Sequence, residues 1–209
     1  MTTALETLVP EGVETGVGLA LQDKHGRYLF FLAGTRHRRP PGERFYAGIG
    51  GHREAGEDWI TCAHREAMEE VGTDVELLPA PATWHVLRDG SMHRIELADE
   101  PRPLALYEMV HPPGTPRAGE VYRIVIYCAR LCSTPRELPA EEVSGVIALT
   151  EAQVVRGLEG PVPLGELLSA GAGWVAGQVL DATTQIYPLG TARALGHVLR
   201  AASVSDPGS

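Results

Sequence analysis

Glu66, Glu69 and Glu70 stand at i, i+3 and i+4 within the segment Gly51 to Thr73, GHREAGEDWITCAHREAMEEVGT. At about 100° per residue, a helix would gather the three carboxylates into an arc of roughly 100°. Like charges at that spacing repel unless something positive sits among them. Side chains that offer only oxygen suit a hard divalent cation, Mg²⁺ or Mn²⁺, and no His or Cys set in the chain has the spacing of a zinc site. Two or more such ions could be held. Arg65, four residues before Glu69, can position one carboxylate, while Glu57 at the start of the helix balances its charge. Gly50 and Gly51 permit close backbone approach, so that a loop carbonyl can complete a metal shell. Taken together, these residue types describe a metal-dependent phosphate site.

The same residues resemble the Nudix box, G-x5-E-x7-R-E-U-x-E-E-x-G-U, where U is a bulky aliphatic residue. Gly51, Glu57, Arg65, Glu66, Glu69, Glu70 and Gly72 fill its seven fixed positions at the required spacing. Ala67, which is small, and Thr73, which is polar, depart at two U positions. The resemblance implies an α+β fold, an α/β/α sandwich with a mixed central β-sheet. It also implies Mg²⁺-dependent (or Mn²⁺-dependent) cleavage of the pyrophosphate bond of a nucleoside diphosphate linked to another moiety, by metal-activated water attacking phosphorus. Glu66, Glu69 and Glu70 are then metal ligands, Gly51 a carbonyl ligand, and Arg65 with Glu57 the pair that orients the carboxylates. The family takes its general base from the box or from a later loop. Glu142, slightly preferred to Glu141, stands where such a loop residue occurs, against the plainer alternative of a solvated acidic pair. A Nudix-fold nucleotide sensor or interaction domain without turnover is the alternative function. The proline expected about 15 residues after the box in ADP-ribose hydrolases is absent, and no other subfamily mark identifies the leaving group.

These residues need elements to hold them. Asp58 to Val71 carries Ile60, Ala63, Ala67 and Val71 at helical spacing, with Gly72 as a natural C-cap. Before it, Gly34 to Gly56 is rich in Gly, Pro and Arg and reads as one long loop of the kind that is usually functional or disordered. Within it Arg36, Arg38, Arg39 and Arg44 are candidate contacts for the anionic part of a substrate, because guanidinium matches phosphate by paired bonds; a solvated loop face is an equal alternative. Thr15 to Gln22 and Tyr28 to Ala33 read as a hairpin around Asp23 to Gly26. Further strands are expected at 74–78, 84–87, 104–110, 121–131 and 146–149, and helices at 150–158, 164–169 and 191–202, Thr150 resembling an N-cap. Phe45, Tyr46, Trp59 and Trp84 offer rings for base stacking, with packing the commoner role.

The whole chain, 209 residues with 44% hydrophobic and 22% charged side chains, has ordinary globular composition. One Nudix domain is expected over 13–160, with an N-terminal extension at 1–12 and a C-terminal helical extension with a frayed tail at 161–209. The formal charge of −9 argues against an extended nucleic-acid surface. No stretch reaches the length of a membrane span and no targeting segment opens the chain. Three cysteines do not form a disulfide framework, so a cytoplasmic protein with free thiols is expected. The partners expected are a small nucleotide substrate and a second copy of the chain, with Leu167, Leu168, Val175, Val179 and Leu180 as interface or core.

Overall fold

A computed structural model describes residues 4–10, 12–35, 40–111, 117–133, 143–178 and 180–205. A 3₁₀ turn at Leu5–Leu8 precedes β1 (Glu14–Gln22), β2 (Tyr28–Ala33), β3 (Glu43–Ala47), β4 (Ile49–His52), α1 (Trp59–Val71), β5 (Val75–Leu78), β6 (Thr83–Val86), β7 (Met92–Ile95), β8 (Ala105–Val110) and β9 (Val121–Leu131). There follow β10 (Val143–Leu149), α2 (Glu151–Gly157), β11 (Val162–Pro163), α3 (Leu164–Ser169), β12 (Gly173–Gly177), β13 (Gln185–Pro188) and α4 (Thr191–Ser205).

Alternation along the central strands builds the layers. In β1, Val17, Leu19 and Leu21 join one apolar cluster while Ala20 joins another. In β9, Val125, Tyr127 and Ala129 face the first cluster, and Tyr122, Ile124 and Ile126 the second. The first cluster is closed by Trp59, Cys62, Ala63, Ala67 and Val71 of α1. The second is closed by Val154 of α2, Leu164 and Leu167 of α3, and Ala192, Leu195 and Val198 of α4. Helices therefore cover both faces of the sheet, giving the α/β/α sandwich. The strand order is β11-β13-β3-β2-β1-β9-β8-β6-β7, with β4, β5, β10 and β12 paired off this path. The β1–β9, β3–β13 and β6–β8 pairs are parallel and the others antiparallel, so the sheet is mixed.

Several elements differ from the expectation. The stretch 34–56 is no single loop, because β3 and β4 lie inside it. Strands β7, β12 and β13 also emerge where the sequence reads as irregular or helical. The β1–β2 hairpin closes on an Asp23 turn, whose carboxylate accepts from the His25 and Arg27 amides. Its described pairing is confined to Gln22 and Tyr28, because β1 gives the rest of that edge to β4. Phe45 and Tyr46 are buried and Trp59, the first residue of α1, packs into the first cluster, so these rings serve the core. Leu167 is buried, Leu168 and Leu180 pack against the second cluster, Val175 is exposed, and Val179 lies outside the described residues. No helix among the described residues is long and apolar enough to cross a membrane.

Candidate active site

The α1 helix is fixed at both ends by its own sequence. The Asp58 carboxylate accepts from the Thr61 amide at 2.8 Å and from its hydroxyl at 2.9 Å, capping the first turn. Gly72 ends the helix in the left-handed region (φ 64°), donating its amide to the Met68 carbonyl. The two departures from the box pattern are absorbed by packing. Ala67 is fully buried between helix and sheet, and the Thr73 hydroxyl bonds Ser133 Oγ at 2.6 Å.

Arg65 is the hub. Its Nε and Nη2 donate to the two oxygens of Glu57 at 2.8 and 3.0 Å, a paired contact that holds the Glu57 pKa down to about 2. Nη1 donates to Glu66 at 2.7 Å and Glu69 at 3.1 Å, and Nη2 also reaches the His52 carbonyl at 2.8 Å. One guanidinium thus ties three carboxylates to the end of β4. The three helix glutamates do not share one solvent face, as their spacing suggests. Glu66 is only 8% exposed, whereas the Glu69 side chain is 59% exposed. A buried carboxylate needs a charged partner, and Arg65 supplies it.

The glycines bring β4 against this helix. A Cβ on Gly51 would overlap both oxygens of Glu66, so the carboxylate lies in a cradle that only glycine leaves open. Gly50, at φ 147°, donates its amide to Glu70 Oε2 at 3.0 Å. The Gly51 carbonyl accepts from the Tyr122 hydroxyl at 3.1 Å. Gly51, Glu57, Arg65, Glu66, Glu69 and Glu70 are thereby gathered at the α1–β4 junction. Four carboxylates and one guanidinium give these residues a formal charge of −3, an attractive field for cations. Among the described residues, no three His, Cys, Asp or Glu side chains form a cage for an ion. Arg65 occupies oxygens of Glu66 and Glu69, and Glu70 turns to the Gly50 amide.

The remaining expected residues are Arg36, Arg38, Arg39, Arg44 and Glu142. Arg44 lies in β3, half-buried between β2 and β13, with Nη1 on the Glu43 carbonyl. Arg36, Arg38, Arg39, Glu141 and Glu142 lie outside the described residues. Sequence reasoning also missed residues that back the cluster, namely Glu14, Gly16, His52, His111 and Tyr122. A glycine inside a strand, as at Gly16, is a general signal of close approach. The others carry no pattern, because they come from three separate parts of the chain.

A family model of the NUDIX domain matches residues 13–162. The chain belongs to the Nudix family. No curated protein sequence matches it significantly. Among solved structures it is similar to a NUDIX hydrolase from Nitrosomonas europaea, at 15% identity over 68% of this chain and 75% of that one, with a TM-score of 0.45. It is also similar to a MutT NUDIX hydrolase from Burkholderia pseudomallei, at 20% identity over 65% and 81%, with a TM-score of 0.40. A third is an ADP-ribose pyrophosphatase from Streptococcus suis, at 14% identity over 90% and 91%, with a TM-score of 0.42. The matched span holds the whole Nudix box and the β4–α1 junction that presents it.

Proposed function

We propose that this protein hydrolyses the pyrophosphate bond of a nucleoside diphosphate linked to another moiety, with Mg²⁺ or Mn²⁺ as cofactor. The observation that carries the reading is the Arg65 hub, which gathers Glu57, Glu66 and Glu69 beside the Gly51 carbonyl. The donor set fits a hard cation, since every candidate ligand is an oxygen and the Gly51 cradle admits Glu66 with no Cβ in the way. Glu66, Glu69, Glu70 and the Gly51 carbonyl would hold the ion or ions. A bound cation supplies an activated water and neutralises charge on the bridging and leaving oxygens. Arg65 keeps the carboxylates pointed, and Glu57 holds Arg65 in place. Burial of Glu66 keeps bulk water off one side of the cluster. Glu142 is our candidate for the general base, and Arg36, Arg38, Arg39 and Arg44 for contacts to the substrate's anionic part.

The test is product chromatography on the full chain with Mg²⁺, across nucleoside diphosphate sugars, ADP-ribose, dinucleoside polyphosphates, coenzyme A and nucleoside triphosphates. Turnover of one class is expected, falling about 10²-fold or more in Glu66→Gln. Nucleotide binding with no turnover of any class would replace this reading with that of a sensor.

A further inference from the structure

The β1 and β9 strands run parallel, which sets Glu14 beside Tyr122 and Gly16 beside Ile124. The opposite edge of β1 pairs with β4, with Gly16 across from His52 and Val17 across from Gly51. Tyr122 of β9 therefore has to reach over β1 to touch β4. It does so at Gly16, where a Cβ would overlap both the Tyr122 hydroxyl and the Gly51 carbonyl oxygen. The hydroxyl donates to that carbonyl at 3.1 Å.

The ring has two imidazoles as stacking partners. It stacks on His52 with centroids 4.9 Å apart and on His111 at 5.6 Å, with interplanar angles of 27° and 29°. Glu14 ties the two imidazoles together, pairing with His52 through one oxygen and with His111 Nε2 at 3.1 Å through the other. Arg117 adds a cation to the same carboxylate. Tyr122 is 6% exposed, so its hydroxyl meets the carbonyl away from bulk water.

We propose that Tyr122 is a positioning residue of the metal centre, its hydroxyl fixing the Gly51 carbonyl while the His52–His111 stack and Glu14 fix the ring. The inference rests on the metal-dependent reading of the site given above. Glycine leaves the backbone at 50 and 51 a wide range of angles, and the Tyr122 hydroxyl adds to the β1–β4 ladder a hydrogen bond that restricts the Gly51 carbonyl. Outer hydrogen bonds of this kind tune metal affinity without touching the ion.

The test is Mn²⁺ titration of the full chain without substrate, followed by the electron paramagnetic resonance signal of free Mn²⁺. Wild type, Glu66→Gln and Tyr122→Phe are compared, with melting temperatures in EDTA recorded for each. The expected result is binding by wild type, loss in Glu66→Gln, and affinity about tenfold weaker in Tyr122→Phe with its EDTA melting temperature retained. Where the phenylalanine variant fails to fold, para-fluorophenylalanine at position 122 fills the hydroxyl's space without donating, and the same tenfold loss is expected. Wild-type Mn²⁺ affinity in the folded donor-less protein overturns the role of Tyr122 and leaves the metal reading intact. No Mn²⁺ binding by wild type overturns both.

Discussion

Cys62 illustrates how sharply neighbouring side chains of one type are separated by their surroundings. It lies fully buried under α1, its thiol directed to the His52 carbonyl at 3.7 Å, and burial with the adjacent Glu57 charge pushes its pKa up to about 12. Burial likewise pushes Cys128 up to about 11, while Cys132 is exposed. Thiolate is the reactive form, so a disulfide reagent at neutral pH should modify Cys132 quickly and Cys62 only on unfolding. Fast modification of Cys62 in the folded protein, located by peptide mapping, would contradict this placement. The carboxylates of the box show the same separation. Their identity and order were legible because seven fixed positions lie within one helix and its approach. The burial of Glu66 was not legible, because it depends on β4 arriving with glycines at 50 and 51.

At the level of elements, α1 depends on its cap as well as its apolar face. Asp58→Ala removes the acceptor of the Thr61 amide and should cost about 1 kcal/mol by urea denaturation, with Asp58→Asn close to neutral. Equal destabilisation by both substitutions would show that the charge, and not the cap, matters. The α1 helix was readable from spacing, β1 and β2 from apolar runs around a turn, and β9 from its run of β-branched and aromatic residues. The short strands were not. β4 is Ile-Gly-Gly-His and β12 is Gly-Trp-Val-Ala-Gly, compositions that signal turns; only long-range pairing with β1 and β10 makes them strands. The Tyr122 seat was hidden for the same reason, since its partners meet through a parallel ladder that joins residue 14 to residue 122.

For the whole molecule, the C-terminal helix is part of the sandwich. His197 of α4 lies on the β6–β7 turn, where a Cβ at Gly90 would meet its ring. Burial, then Arg200 and Arg193, lower its pKa below 6.5. The folded state therefore resists a proton that the unfolded chain accepts, so stability is flat above about pH 6.5 and falls as the pH drops below it. His85, lowered mainly by burial, adds to the same slope. Denaturant midpoints at pH 7 and 5.5 should differ less in His197→Leu than in wild type, and an unchanged difference would count against this coupling.

The pairing of β3 with β13 joins residues 43–46 to residues 185–188 in parallel register. During synthesis, β3 and the box are made long before the strand that covers their outer edge. The nascent chain carries an open strand edge until β13 leaves the ribosome, and such an edge invites pairing with a neighbouring chain. Premature termination between the box and β13 would leave a complete Nudix box on a sheet whose β3 edge is uncovered.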